Sequence, residues 1–141
     1  MVSKWDRRFL DMAAFVATWS KDPSTQVGAV IVRPDRTIAS VGYNGFPRGV
    51  SDDDARYADR SLKYPMIVHA EMNAILSAKE PLLGYAIYVT PLAPCATCAG
   101  AIIQSGIKRV VATCRKPDNW QANFALASAM FNEAGIETII L

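Results

Sequence analysis

Two thiols and one imidazole are the groups in this chain best suited to chemistry. Cys95 and Cys98 stand three positions apart in Pro94-Cys95-Ala96-Thr97-Cys98. That spacing sets both sulfurs on one face of a helical turn, close enough to share a metal ion. His69, the single histidine, supplies a third ligand, and Glu71 follows two residues later. Three protein ligands leave the fourth tetrahedral position of a zinc ion open, which separates a catalytic site from a closed structural one. Zinc held in this way lowers the pKa of a bound water to about 7 and yields a nucleophile at neutral pH. Glu71 is placed to take the proton and return it to a leaving group, provided its own pKa is raised.

Each half of this constellation has a plainer reading. A C-x-x-C pair also serves as a redox couple or as half of a zinc ribbon. A histidine at a helix start is commonly a polar cap. Cys114 would close the site as a fourth ligand, although a free cysteine after a buried strand ordinarily packs as a small hydrophobe. Residues i and i+2 point to nearly opposite sides of a regular helix. His69 is therefore expected at the cap or in the first turn, so that it and Glu71 can face one ion.

The elements that must position these groups follow from periodicity. Ser3 caps a first helix with Asp6 in a capping-box position. Trp5, Phe9, Met12, Phe15, Val16 and Trp19 recur at helical spacing and predict a core stripe running toward Pro23. Val27 to Val32 and Thr37 to Tyr43, joined by Pro34-Asp35-Arg36, read as an antiparallel hairpin. From Asn44 to Pro65 no periodicity is clear, which marks a long functional excursion. Helices from His69 toward Lys79, from Cys95 to Ser105 and from Ala122 to Ala134 alternate with strands 86–90, 108–113 and 137–141. Gly106 and Gly135 close the last two helices. The last helix is expected to pack Phe124, Leu126, Ala127, Met130 and Phe131. The order predicts an α/β fold whose later strands run parallel, with the ligand groups at helix amino termini.

The chain of 141 residues reads as one domain, with 51% hydrophobic residues, 20% charged residues and a formal net charge of +2. So weak a charge does not call for a long nucleic acid and suits a small anionic substrate. No apolar run approaches the ~20 residues that span a bilayer. The charged start and the three cysteines point to a cytoplasmic protein with free thiols.

The pattern H-x-E…P-C-x-x-C is the general signature of zinc deaminases acting on nucleobases. Ser20-Lys21-Asp22-Pro23-Ser24-Thr25-Gln26-Val27-Gly28-Ala29, Gly42-Tyr43-Asn44-Gly45-Phe46-Pro47-Arg48-Gly49 and His69-Ala70-Glu71-Met72-Asn73-Ala74-Ile75 complete the resemblance. From Trp19 nearly to its end the chain resembles the deoxycytidylate deaminases, within the cytidine deaminase-like superfamily. The resemblance implies a three-layer α-β-α fold on a five-stranded mixed sheet with an antiparallel first hairpin. It implies zinc on His69, Cys95 and Cys98, Glu71 as proton shuttle, and hydrolysis of dCMP to dUMP and ammonia, supplying dUMP for thymidylate synthesis. It places Asn44, otherwise a turn residue before glycine, at the sugar hydroxyl. Lys21, Ser24, Thr25 and Arg115 are candidates for the 5′-phosphate, and each fits equally a polar connection or a surface charge. Many relatives are homohexamers activated by dCTP and inhibited by dTTP. Gly45, Phe46 and Asn73 are the candidate effector contacts, with Asp52 to Asp54 able to hold Mg2+ on a triphosphate or simply to form a solvated turn. Deamination of another cytosine compound, and a non-catalytic zinc module, are the competing functions.

Overall fold

A computed structural model describes residues 2–114 and 121–141. The phosphate contact expected of Arg115 lies outside the described residues. Helix α1 (Lys4–Ala17) starts with the expected capping box, in which Ser3 Oγ accepts from the Asp6 amide and the Asp6 carboxylate accepts from the Ser3 amide. Strands β1 (Gly28–Val32) and β2 (Ile38–Tyr43) form the antiparallel hairpin. Helices α2 (Asp54–Ala58) and α3 (Arg60–Met66) follow, then α4 (Ala70–Ser77), β3 (Ala86–Thr90) and α5 (Ala96–Ser105). Strand β4 (Arg109–Ala112), α6 (Gln121–Glu133) and β5 (Glu137–Ile140) complete the order.

The sheet runs β2-β1-β3-β4-β5. β1 is antiparallel to both neighbours, while β3, β4 and β5 are mutually parallel. Both faces are covered, so all five residues of β1 are buried, as expected of a central strand between two helical layers. Alternate side chains serve opposite layers. Val30, Val32, Tyr88 and Val111 meet Phe9, Leu10 and Ala13 of α1. Ala29, Ile31, Ile87, Val89, Val110 and Ala112 meet α4, α5 and α6 through Ala70, Ala74, Ala99, Ile102, Ala127 and Phe131. This is the three-layer α-β-α sandwich with a five-stranded mixed sheet that the resemblance implied.

Two glycines set how close the helices come. An added Cβ on Gly28 would lie 2.0 Å from the Ala13 carbonyl oxygen of α1. On Gly42 it would lie 2.4 Å from both the Ala70 carbonyl oxygen and the Ala74 amide nitrogen of α4. No other residue lets the backbones of sheet and helix approach so nearly.

Three expectations are corrected. The first helix stops at Ala17 because Thr18, Trp19 and Ser20 turn back to Phe15, Val16 and Ala17 with the tighter three-residue spacing. Trp19 falls beyond the helix and Phe15 sits on its outward face, so both leave the core stripe: they are 49% and 65% exposed and stack edge-on in a row with Tyr43. Leu126, expected in the core, points to solvent on α6. The stretch after Asn44 is not wholly irregular, since α2 and α3 fold within it, anchored by buried Tyr57 and Lys63. Pro65 sits inside the last turn of α3, which is why periodicity alone did not reveal that helix.

Candidate active site

His69 is the N-cap of α4, with extended backbone at φ −70° and ψ 155°, and its carbonyl accepts the first helical bond from Asn73 at 3.0 Å. The cap position solves the spacing problem, because an extended residue releases its side chain from the helical rotation that would set it opposite Glu71. Gly45 and Val68 exchange two backbone bonds, of 3.1 and 2.8 Å, and so pin the segment that delivers His69. Cys95 is the N-cap of α5, and Cys98 lies buried in its first turn. The Ala96 amide, orphaned at that helix start, donates to Asn123 Oδ1 of α6 at 2.8 Å. Gly106 ends α5 at φ 88°, the left-handed conformation expected for it.

The two helix starts bring three donors together. His69 Nδ1 is 3.2 Å from Cys98 Sγ and 3.5 Å from Cys95 Sγ, and all three ligand atoms lie within 4.8 Å of one another. A tetrahedral zinc with bonds of roughly 2.1 Å to nitrogen and 2.3 Å to sulfur has N–S edges of about 3.5 Å. The donors present fit that ion in type and spacing. Cys114 is not in the cluster, and the described residues offer no third thiolate as a fourth ligand.

Electrostatics bind the group tightly. The neighbouring Cys98 and His69 side chains hold the Cys95 thiol down at about 4 despite its partial burial. The neighbouring Cys95, burial and the nearby Glu71 push the Cys98 thiol far up. His69 is raised by its bond with Cys95. Glu71, at the second position of α4, is 4% exposed, and burial is the main cause raising its carboxyl above the ordinary range. A carboxyl raised in this way holds a proton more readily than an ordinary one and is suited to passing it on.

The remaining sequence candidates are placed unevenly. Thr25 and Ser24 donate their amides to Asp22 Oδ1, at 3.3 and 2.8 Å, in the loop between α1 and β1. Lys21 is exposed and pairs with Asp52 at 3.1 Å. Asn44 is buried. Its carboxamide donates to Thr25 O at 2.9 Å and to Asp22 Oδ2 at 3.2 Å, and accepts from the Val27 amide at 2.8 Å. Gly45 is paired to Val68, Phe46 stacks on Tyr57 with centroids 4.5 Å apart, and Asn73 Nδ2 donates to Tyr43 O at 2.8 Å. Sequence reasoning missed Asp22, Lys63 and Asn123. Asp22 had a signal, since Asp-Pro-Ser-Thr is a side-chain-capped turn. Lys63 and Asn123 had none, because their partners are remote in the chain.

An α-β-α sandwich whose imidazole and thiol donors stand at two adjacent helix starts, beside a buried carboxyl, has the architecture of the zinc-dependent deaminases, a class of hydrolases. The chain belongs to that class through one family: residues 3–114 match the family model of the cytidine and deoxycytidylate deaminase zinc-binding region. It is 42% identical over 139 residues to human deoxycytidylate deaminase, covering 94% of this chain and 77% of that protein. It is 49% identical over 140 residues to an uncharacterised deaminase of Aliivibrio fischeri, covering 97% and 93%. In fold it matches the dCMP deaminase of cyanophage S-TIM5, solved with dCMP and dUMP, at a TM-score of 0.80 and 22% identity over 100% of this chain and 99% of that one.

Proposed function

We propose that this chain hydrolyses dCMP to dUMP and ammonia, and so supplies dUMP for thymidylate synthesis. The observation that carries this is the 42% identity, over nearly its whole length, to human deoxycytidylate deaminase. The fold it shares with a phage enzyme crystallised with dCMP and dUMP supports the same substrate.

In this reading His69, Cys95 and Cys98 hold the metal ion. When bound, zinc supplies the nucleophile by lowering the pKa of water toward 7. Glu71 does the proton work: it takes one proton from the water and gives it to ring N3, then takes the proton of the hydroxyl added at C4 and gives it to the departing amino group. The C4–O bond forms first and the C4–N bond then breaks, so water and dCMP become dUMP and ammonia. Burial of Glu71 serves both directions, since a raised pKa lets it hold the proton between steps. Asn44 borders the sugar, and the loop bearing Lys21, Ser24 and Thr25 borders the phosphate, with Arg115 a further candidate.

The regulatory part of the proposal follows the resemblance. A homohexamer binds dCTP as activator and dTTP as inhibitor near Gly45, Phe46 and Asn73, with Mg2+ on the effector phosphates, in the cytoplasm.

Ammonia release from cytidine, CMP and dCMP, each with and without dCTP and Mg2+, tests the substrate and the regulation together. dCMP is expected to be preferred, and dCTP to raise its turnover. Preference for cytidine or another base would overturn the substrate assignment. Glu71→Gln is expected to keep its zinc and lose turnover by orders of magnitude. Unchanged turnover would remove Glu71 from the mechanism.

A further inference from the structure

Lys63 is the one lysine buried among the described residues, at 8% exposure. An ammonium is kept inside a protein only with a partner. Its Nζ lies 2.9 Å from Asp22 Oδ1, a carboxylate as buried as itself. The ammonium also lies over the ring of Tyr57, 6.0 Å from its centroid.

Asp22 is the knot of three chain segments. Besides Lys63 of α3, its carboxylate accepts the amides of Ser24 and Thr25 and one N–H of Asn44. Asn44 in turn ties Thr25 and Val27, and the next residue, Gly45, is paired to Val68 just ahead of His69. The loop 22–27 is thus fastened to the segment that delivers the metal ligand, and the cation completing the knot comes from a helix 41 residues away in the chain.

We infer that Lys63 is a positioning residue for the reaction: it fixes Asp22, and through Asp22 the loop that presents Ser24 and Thr25 to the substrate's phosphate end. The inference rests on the reading of that loop as the phosphate side of a dCMP site. The ammonium neutralises Asp22 where water cannot, which leaves the carboxylate free to gather three N–H donors in one geometry. Without it, a buried carboxylate would have to reach solvent and carry the loop along. The excursion that holds α3 is therefore part of substrate recognition, although it places no side chain among the metal ligands.

The test compares zinc-loaded wild type with Lys63→Met, which keeps the stem and drops the charge, and Lys63→Arg, which keeps the charge. Lys63→Met is expected to retain its zinc and kcat within a few-fold, while KM for dCMP rises about tenfold or more. Amide hydrogen exchange at Ser24 and Thr25 should quicken by about tenfold, because both N–H groups lose a fixed acceptor. Lys63→Arg should recover most of both effects. If Lys63→Met does not fold, Lys63→Met combined with Asp22→Asn removes the unpaired buried charge, and the raised KM should persist in a folded protein. A wild-type KM in Lys63→Met or in the Lys63→Met, Asp22→Asn double variant, or a loss of kcat that merely tracks zinc content, would overturn the inference. If wild type itself does not turn over dCMP, the substrate reading has failed instead. The exchange of Ser24 and Thr25 then decides the role of Lys63 alone, and unchanged exchange overturns it.

Discussion

Replacing Gly42 by alanine adds one methyl group where β2 meets α4, and its consequence can be worked through from the geometry. The new Cβ would stand 2.4 Å from the Ala70 carbonyl oxygen and 2.4 Å from the Ala74 amide nitrogen. Ordinary contacts begin about 1 Å further out. Both obstacles are backbone, one helical turn apart in α4, so no side chain can rotate out of the way. Overpacking of a core costs roughly 1–3 kcal/mol, and a contact that only a shift of a whole helix relieves belongs at or above the upper end. Taking about 3 kcal/mol and an unfolding entropy near 2.1 cal/mol/K per residue, a chain of this length should melt about 10 °C lower. The displaced helix also carries His69 at its cap and Glu71 in its first turn. A shift of about 1 Å there should weaken zinc some 10- to 100-fold, the range found when the supports of metal ligands are lost. Calorimetry and competition with a zinc chelator read the two effects. Gly100→Ala is the control, because its Cβ would meet nothing nearer than Met130 Cε at 3.9 Å. Within α5 that change should stabilise by up to about 1 kcal/mol through helix propensity. A Gly42→Ala protein that melts within about 2 °C of wild type and binds zinc equally would refute the close-approach argument.

Two further outcomes are expected. Asp6 is buried and accepts from Arg109 at 2.6 and 2.9 Å, from the Tyr88 hydroxyl at 2.8 Å and from the Ser3 amide, and the Arg109 bonds hold its carboxyl well below the usual range. Asp6→Asn should therefore cost about 1.5–3 kcal/mol at neutral pH, since Arg109 loses its buried partner and keeps only the exposed Glu137 carboxylate, 2.9 Å from its Nε. Because the folded pKa lies below the unfolded one, this stabilisation is whole above about pH 4 and is lost as the pH falls further. The gap in melting temperature between variant and wild type should accordingly close in acid, and a gap independent of pH would contradict the assignment. Asn123→Ala should cost about 1 kcal/mol by orphaning the Ala96 amide at the start of α5. Zinc affinity should fall with it, since Cys95 caps that same helix, and an unchanged chelator titration would show that Asn123 does not support the site.

The centre of this protein was legible in its sequence because its information is local. The imidazole, the two thiols and Glu71 sit at helix starts, and the signals for those starts lie within a few residues of each. His69 and Cys95 are both found as caps, Gly106 takes the left-handed conformation, and Ser3 and Asp6 close their capping box, because such geometry is settled by near neighbours. Short apolar, β-rich runs bounded by turn residues likewise located the five strands.

Tertiary structure alone decided which strand lies beside which, and what the polar loop residues do. β3 pairs with β1 rather than β2, so the first hairpin enters the sheet by way of its earlier strand. Phe15 and Trp19 carry the same hydrophobicity as Phe9, yet the early end of α1 and its own rotation leave them in solvent. Asn44 looks like a turn residue in the chain and proves to be a buried clamp, and Lys63 looks like a surface charge and proves to be the buried partner of Asp22. A helix cap is determined by residues a turn away. A buried ion pair exists only once two segments 41 residues apart are packed together and water is excluded between them.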